Sequence, residues 1–342
     1  MTGEIRKEDI EAAVAAGVIE ESAADRLLNF IQSKGGGRAS NADEENLRLI
    51  SSFNDIFVTI GLALFLGAIA VIGNAYNVSA GAFAVAAASW LLAEVFTRRK
   101  RMAFPSIILL VTFGASAFLG VSAWLTPDVE DAFSKNLNAF AIAGIATAAL
   151  IGLHWLRFRV PITIAAGCAA LAIAVISFAM VNMPEWFRAH PAAIFLPLGL
   201  AVFALAMAFD MTDRQRLTRR TDIAFWLHLL AAPMIVHPIV SEWTPLYDQT
   251  PAHSGVILAL FATLSIVALI TDRRALLVSS LGYLIYAAYA LISAASQAYG
   301  AAPAVLAVGS IVLILSVAWR PPRRFVLKFV PAPVLARVPE PA

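Results

Sequence analysis

An all-α, polytopic transmembrane helix bundle of about ten spans with a small N-terminal helical module is the fold class this sequence predicts. Three observations predict it. Ten apolar blocks follow one another between residues 55 and 319. Lys and Arg collect in every second gap between those blocks, as in a chain threaded back and forth through a bilayer. The composition is 60% hydrophobic and 14% charged, whereas a soluble domain is nearer half apolar and a quarter charged. The net charge of +2 says little alone, because the two signs are segregated along the chain.

Residues 1–33 read as a cytoplasmic helical pair. Ile10, Ala13 and Val14 share one face of a helix over 7–16, with Gly17 as its stop. Ala23, Leu27, Phe30 and Ile31 share a face of a second helix over 20–32. Seven acids against Arg6, Lys7 and Arg26 give the wrong sign for a phosphate-binding module, so no nucleic-acid partner is expected. So small a pair has little core of its own. It is expected to dock on the membrane face, a second copy or a cytoplasmic protein partner. Residues 34–54 read as a Gly-rich linker, KGGGRASNADEEN, and a juxtamembrane helix marked by Leu47, Ile50 and Phe53. The opening MTGEIRKEDIEAAV lacks the apolar core of a cleaved signal, so the first span is expected to be retained.

The transmembrane domain, 55–319, divides into spans at 55–74, 80–97, 103–125, 137–156, 160–182, 192–210, 223–240, 253–270, 275–295 and 303–319. A membrane helix needs about 20 mainly apolar residues. With the N-terminus inside, every base of the 25 except Lys135 and Arg188 falls on the inner side. The outer gaps hold Asp128, Glu130, Asp131, Glu185, Glu242 and Asp248 instead. An even number of spans preserves this alternation and is expected to place both termini in the cytoplasm. Trp124, Trp186 and Trp243 mark outer boundaries, and Trp155, Trp226 and Trp319 inner ones, at the headgroup depth that indole prefers. Pro105, Pro161, Pro191, Pro251 and Pro303 lie at span starts, where a missing N–H costs no helical bond. Runs such as AIAGIATAA and AAGCAALAIA let backbones approach closely, the main source of packing energy in lipid. The tail, 320–342, is basic, Pro-rich and interleaved with Phe. It is expected to lie disordered on the inner leaflet, where anionic lipid meets its bases and those of the inner loops.

Candidate functional residues concentrate in the seventh span, with His228, His237 and the interior Pro233. Ionisable groups inside a bilayer are costly and are functional candidates for that reason. Pro233 cannot donate to the carbonyl of Leu229, which favours a kink or opening there. His228 has two readings: a packing polar group, or a proton or substrate contact. The two histidines stand roughly 13 Å and half a turn apart on a straight helix, too far for one metal ion. No metal site and no cofactor are expected, since Cys168 is the single cysteine and HExxH, GxSxG and phosphate-loop motifs are absent from the sequence. Glu94, one turn before Arg98, is a further contact candidate whose plainer reading is an i,i+4 ion pair. Asp210 is expected to pair with nearby arginines. Thr212-Asp213-Arg214 and Thr271-Asp272-Arg273 echo each other and could mark a duplicated hairpin.

The segments GVIEESAADRLLNFI and FNDIFVTIGLALFLGAIAVIG resemble an uncharacterised family of bacterial multi-pass membrane proteins, a domain of unknown function. Its members join a short helical module to Gly- and Ala-rich spans. The resemblance covers about the first hundred residues and implies no activity. Ten spans with both ends inside is also similar to the drug/metabolite exporters, by span count alone. Two functions remain open. One is a small-solute transporter, with a midplane cavity near His228 or Pro233. The other is a structural or regulatory scaffold whose N-terminal module binds a partner. An intramembrane enzyme is disfavoured, because no neighbouring span supplies an evident second polar group for His228.

Overall fold

The computed structural model describes residues 10, 14, 16–20, 22–26, 53–126, 137–216, 218–243, 251–277, 281, 284–285, 288, 302–335 and 337–339. The chain divides into two compact units, Met1–Leu47 with Ala342, and Arg48–Pro341. In the first unit, Ile10 and Ala24 are buried. Gly17 takes φ +69° and donates its N–H to Val14 O, the left-handed stop expected after a first helix. The remainder of the expected helical pair, the linker and the juxtamembrane Leu47 and Ile50 lie outside the described residues.

Every secondary-structure element among the second unit's described residues is a helix. Its elements are α1 (Phe53–Asn74), α2 (Val78–Ala93, prolonged by a π turn over Glu94–Arg99), α3 (Ala103–Leu125), α4 (Leu137–Phe158) and α5 (Ile162–Asn182). Then come α6 (Pro184–Ala189), α7 (Ala192–Thr212), α8 (Arg219–Trp243), α9 (Pro251–Thr271), α10 (Ala302–Val317), α11 (Arg320–Leu327) and α12 (Ala332–Leu335). Seven helices, α1–α5, α7 and α8, are long and apolar enough to cross a membrane. That is compatible with an integral membrane protein. The apolar stretch Gly255–Thr271 of α9 is shorter, and the expected 275–295 span is described only at 275–277, 281, 284–285 and 288. Among the described residues seven helices therefore qualify as spans; most of the expected ninth span lies outside the described residues.

Most boundaries move by a turn or less. The seventh span gains a full turn at its start, at Arg219, because Thr218 Oγ1 accepts the first-turn Arg220 N–H at 3.2 Å and Asp213 holds Thr218 in place through its N–H at 2.9 Å. The last expected span ends at Val317, and a new helix begins at Arg320. Pro321 and Pro322 occupy the first turn of that helix, where proline is tolerated. The described part of the tail therefore holds helices where disorder was expected. Arg323 and Leu327, one turn apart, are buried as α11 packs on α9, and Val338 is buried further along.

Consecutive helices pack as hairpins: α2 on α3, α4 on α5, and α7 on α8, with α3 on α4 and α5 on α8 joining them. Small residues permit the close approaches. A Cβ on Gly144 of α4 would lie 2.8 Å from Ala170 O of α5. One on Gly199 of α7 would lie 3.0 Å from the Met234 carbonyl carbon of α8. Large apolar side chains such as Phe57, Leu64 and Val71 point outward, the inverse of a water-soluble surface and suited to lipid.

The turns at the Arg-rich end share a device. Arg101, Arg159, Arg216 and Asp272 have φ between 52° and 55°, a left-handed conformation that costs a non-glycine residue about 1 kcal/mol. They fall in the α2–α3, α4–α5 and α7–α8 turns and just after α9. The Thr-Asp-Arg echo does not repeat this geometry, since Asp213 has φ −140° and Asp272 φ 55°.

Candidate functional site

The last turn of α7 brings Asp210 against α8, and both ends of that contact are buried. Asp210 Oδ2 accepts from His228 Nε2 at 2.9 Å and from Arg273 Nε at 3.1 Å. Its Oδ1 accepts from Arg273 Nη2. The guanidinium thus grips the carboxylate with two parallel N–H groups, the strongest form of this pair. Arg273 Nη2 also donates to Thr221 O at 3.2 Å in the first turn of α8. Three segments meet at one carboxylate: the end of α7, the body of α8 and the turn after α9.

The cost of this arrangement explains its completeness. Taking an ion out of water costs several kcal/mol, and attraction offsets that only with good geometry and satisfied lone pairs. Asp210 accepts three bonds. His228 has no exposed surface. With Nε2 donating to the carboxylate, the ring's Nδ1 is left buried and without a hydrogen-bond partner. Phe203 stands edge-on to the ring, 5.3 Å between centroids.

A second carboxylate extends the network. Asp272 Oδ2 pairs with Arg216 Nη1 at 2.9 Å, and Oδ1 accepts from Trp319 Nε1 at 2.7 Å. Arg323 Nε lies 3.5 Å from the same Oδ1. Arg216 Nη2 donates to Asp272 O at 2.9 Å. Arg323 Nη2 donates to Pro339 O at 2.7 Å, and Arg214 Nε donates to Val338 O at 3.2 Å. The tail is thereby tied to the same end of the bundle. Asp213 Oδ2 gathers Thr218 Oγ1 at 2.6 Å and Thr221 Oγ1 at 2.9 Å, which fixes the start of α8.

Of the residues singled out by sequence, His228 is at this centre. Pro233 and His237 lie further along α8 on exposed positions, and the helix runs unbroken from Arg219 to Trp243 through Pro233 and Pro238. Glu94 belongs elsewhere. It opens the π turn after α2 and is held by Arg157 of α4, at 2.7 and 3.0 Å, more closely than by the expected Arg98 at 3.3 Å. The four candidates do not converge.

Sequence reasoning missed three things. The partner for His228 is Asp210, the final residue of the expected sixth span, so the polar group thought lacking is present. Asp210 pairs with an arginine as expected, but with Arg273, 63 positions away, and not with a near neighbour. The Thr-Asp-Arg echo was the signal available, because it flags acids at the ends of α7 and α9. The third is His154 on α4, 1% exposed, enclosed by Trp90, Phe113 and Phe158 at 4.5–5.6 Å between centroids. Its Nδ1 is buried and has no hydrogen-bond partner. Among the described residues no group of three or more His, Cys, Asp or Glu is arranged to hold a metal ion.

No family model matches the chain, and no curated protein or solved structure is similar to it.

Proposed function

We propose that the chain is a bacterial inner-membrane transporter of a small solute, with its Arg-rich end and both termini in the cytoplasm. In this reading the Asp210–His228–Arg273 cluster is the latch that closes the cytoplasmic end. The observation that supports it is the burial of a bidentate ion pair and a histidine where the end of α7, the body of α8 and the turn after α9 meet. An anchor needs no such cluster, since apolar packing of similar volume is often as stable or more so. A set of ion pairs that can be made or broken is a two-state element, which alternating access requires. His228 then acts within the latch, not on the solute, because it has no exposed surface in this closed arrangement.

A second reading, a regulatory scaffold, is favoured by one observation: the tail carbonyls of Val338 and Pro339 are held by Arg214 and Arg323. Release of the tail would then be the signal, with residues 1–33 recruiting a protein partner or a second copy.

Thiol accessibility separates the readings without knowledge of the solute. Cys168→Ser removes the native thiol. Ala231→Cys then places a probe on the buried face of α8, one turn from His228, where Ala231 has no exposure. Labelling by a membrane-impermeant maleimide on inside-out vesicles should be slow with the latch intact. It should rise several-fold when Asp210→Asn weakens the latch in a protein that still elutes as a single species. Unchanged labelling in that folded variant would overturn the transport reading.

A further inference from the structure

Between the α4–α5 turn and the start of α8 lies an open groove of about 700 Å³. Trp155 and Arg159 line it on one side, Thr218, Arg219 and Arg220 on the other, and Phe209 and Ile223 form its apolar wall. Its electrostatics oppose those of the neighbouring latch. Arg216, Arg273 and Arg323 are buried and face carboxylates. Arg159, Arg219 and Arg220 are exposed, and none of them forms an ion pair among the described residues. Asp222 feels Arg219 through space, and Asp213 is turned to Thr218 and Thr221. Three guanidinium groups from two separate elements therefore line one opening, each without a direct ion-pair partner among the described residues.

We infer that this groove binds the phosphate headgroup of an anionic phospholipid. Guanidinium groups match phosphate oxygens bidentately. A soluble anion would need only the charges. This site adds an apolar wall continuous with the α5–α7–α8 core, where Ile223 packs beside Phe209 and Trp155. An indole beside a cationic rim is the arrangement found at headgroup depth, and basic pockets between spans suit lipid phosphates. The inference is independent of the transport reading.

Native mass spectrometry of the full chain in detergent, titrated with phosphatidylglycerol or phosphatidylcholine, tests it. The wild type should retain one phosphatidylglycerol and no phosphatidylcholine. Arg159→Gly suits the left-handed backbone at φ 52°, so it removes a guanidinium without threatening the fold. It should weaken retention about fivefold. Arg219→Ala/Arg220→Ala should weaken it further. Arg99→Ala/Lys100→Ala, which removes equal charge from another Arg-rich turn, should leave it unchanged. Equal loss from both double variants would reduce the effect to diffuse attraction and overturn the site. Full displacement by millimolar inorganic phosphate would instead assign the groove to a soluble anion and overturn the lipid.

Discussion

His154 and His228 are matched in burial and opposite in company. Each lies within a few turns of the Arg-rich end of its helix, on α4 and α8. Each keeps Nδ1 away from any hydrogen-bond partner. Yet His154 is enclosed by Trp90, Phe113 and Phe158, while His228 donates to a carboxylate that also holds an arginine. A buried imidazole can thus serve as an aromatic packing disc or as one arm of an ionic junction. Residue type and depth do not decide between them. The neighbouring helix does: α7 ends on an acid that reaches α8 at 2.9 Å, whereas the acid near α4, Glu94, is drawn outward to Arg157 and Arg98.

The largest effect should come from breaking the junction at its cation. Arg273→Ala leaves Asp210 buried without its arginine and should cost about 3–5 kcal/mol, the usual penalty for orphaning a buried charge. Unfolding in SDS, followed by tryptophan fluorescence, would show a large shift. The matching cut in the other region, Arg157→Ala, should barely move the curve, because that pair is solvent-exposed. Similar shifts for the two would mean that the buried cluster is not what holds α7, α8 and the turn after α9 together.

Exchanging the rings sharpens the contrast. His228→Phe removes a hydrogen bond to a charged group and should cost about 2–3 kcal/mol. His154→Phe keeps the aromatic contacts and discards a buried, unpartnered nitrogen. It should be neutral or stabilising by up to about 1 kcal/mol. Equal losses at both positions would give His154 a polar role that its surroundings do not show.

The tail supplies a smaller test. Arg323→Ala removes the donor to Pro339 O and the contact with Asp272. A loss of about 1 kcal/mol is expected, with tryptic cleavage after Lys328 rising several-fold. Cleavage at the wild-type rate would place the tail's attachment in α11 packing instead of in these carbonyls.

These contrasts also mark what the sequence could disclose. Helices and their apolar faces were legible, since length and hydropathy are local properties. So were the hairpin ends, where Arg clusters and prolines fall at fixed places. His228 was legible as the unusual residue of its span. Its role was not, because the deciding partners, Asp210 and Arg273, lie 18 and 45 positions away along the chain and meet only through packing. His154 escaped notice for the converse reason. Its surroundings are aromatic, and Trp90, Phe113 and Phe158 come from three different helices. The tail misled because proline and charge read as disorder, although prolines in the first turn start α11 and Arg323 finds its acceptors only in the folded chain.

The smallest effect separates backbone from side chain in the Arg-rich turns. Arg101 and Arg216 share a left-handed φ, 53° and 55°. Arg101 is exposed and makes no side-chain bond among the described residues. Arg101→Gly therefore relieves about 1 kcal/mol of backbone cost, offset in part by glycine's extra freedom in the unfolded chain, about 0.5–1 kcal/mol. The net should lie between zero and a slight stabilisation. Arg216→Gly relieves the same backbone cost but strips Asp272 of its 2.9 Å partner, so its sign should reverse. If both glycines stabilise, the Arg216–Asp272 pair contributes less than the turn's strain, and the ionic network shrinks to Asp210 and the two groups that grip it.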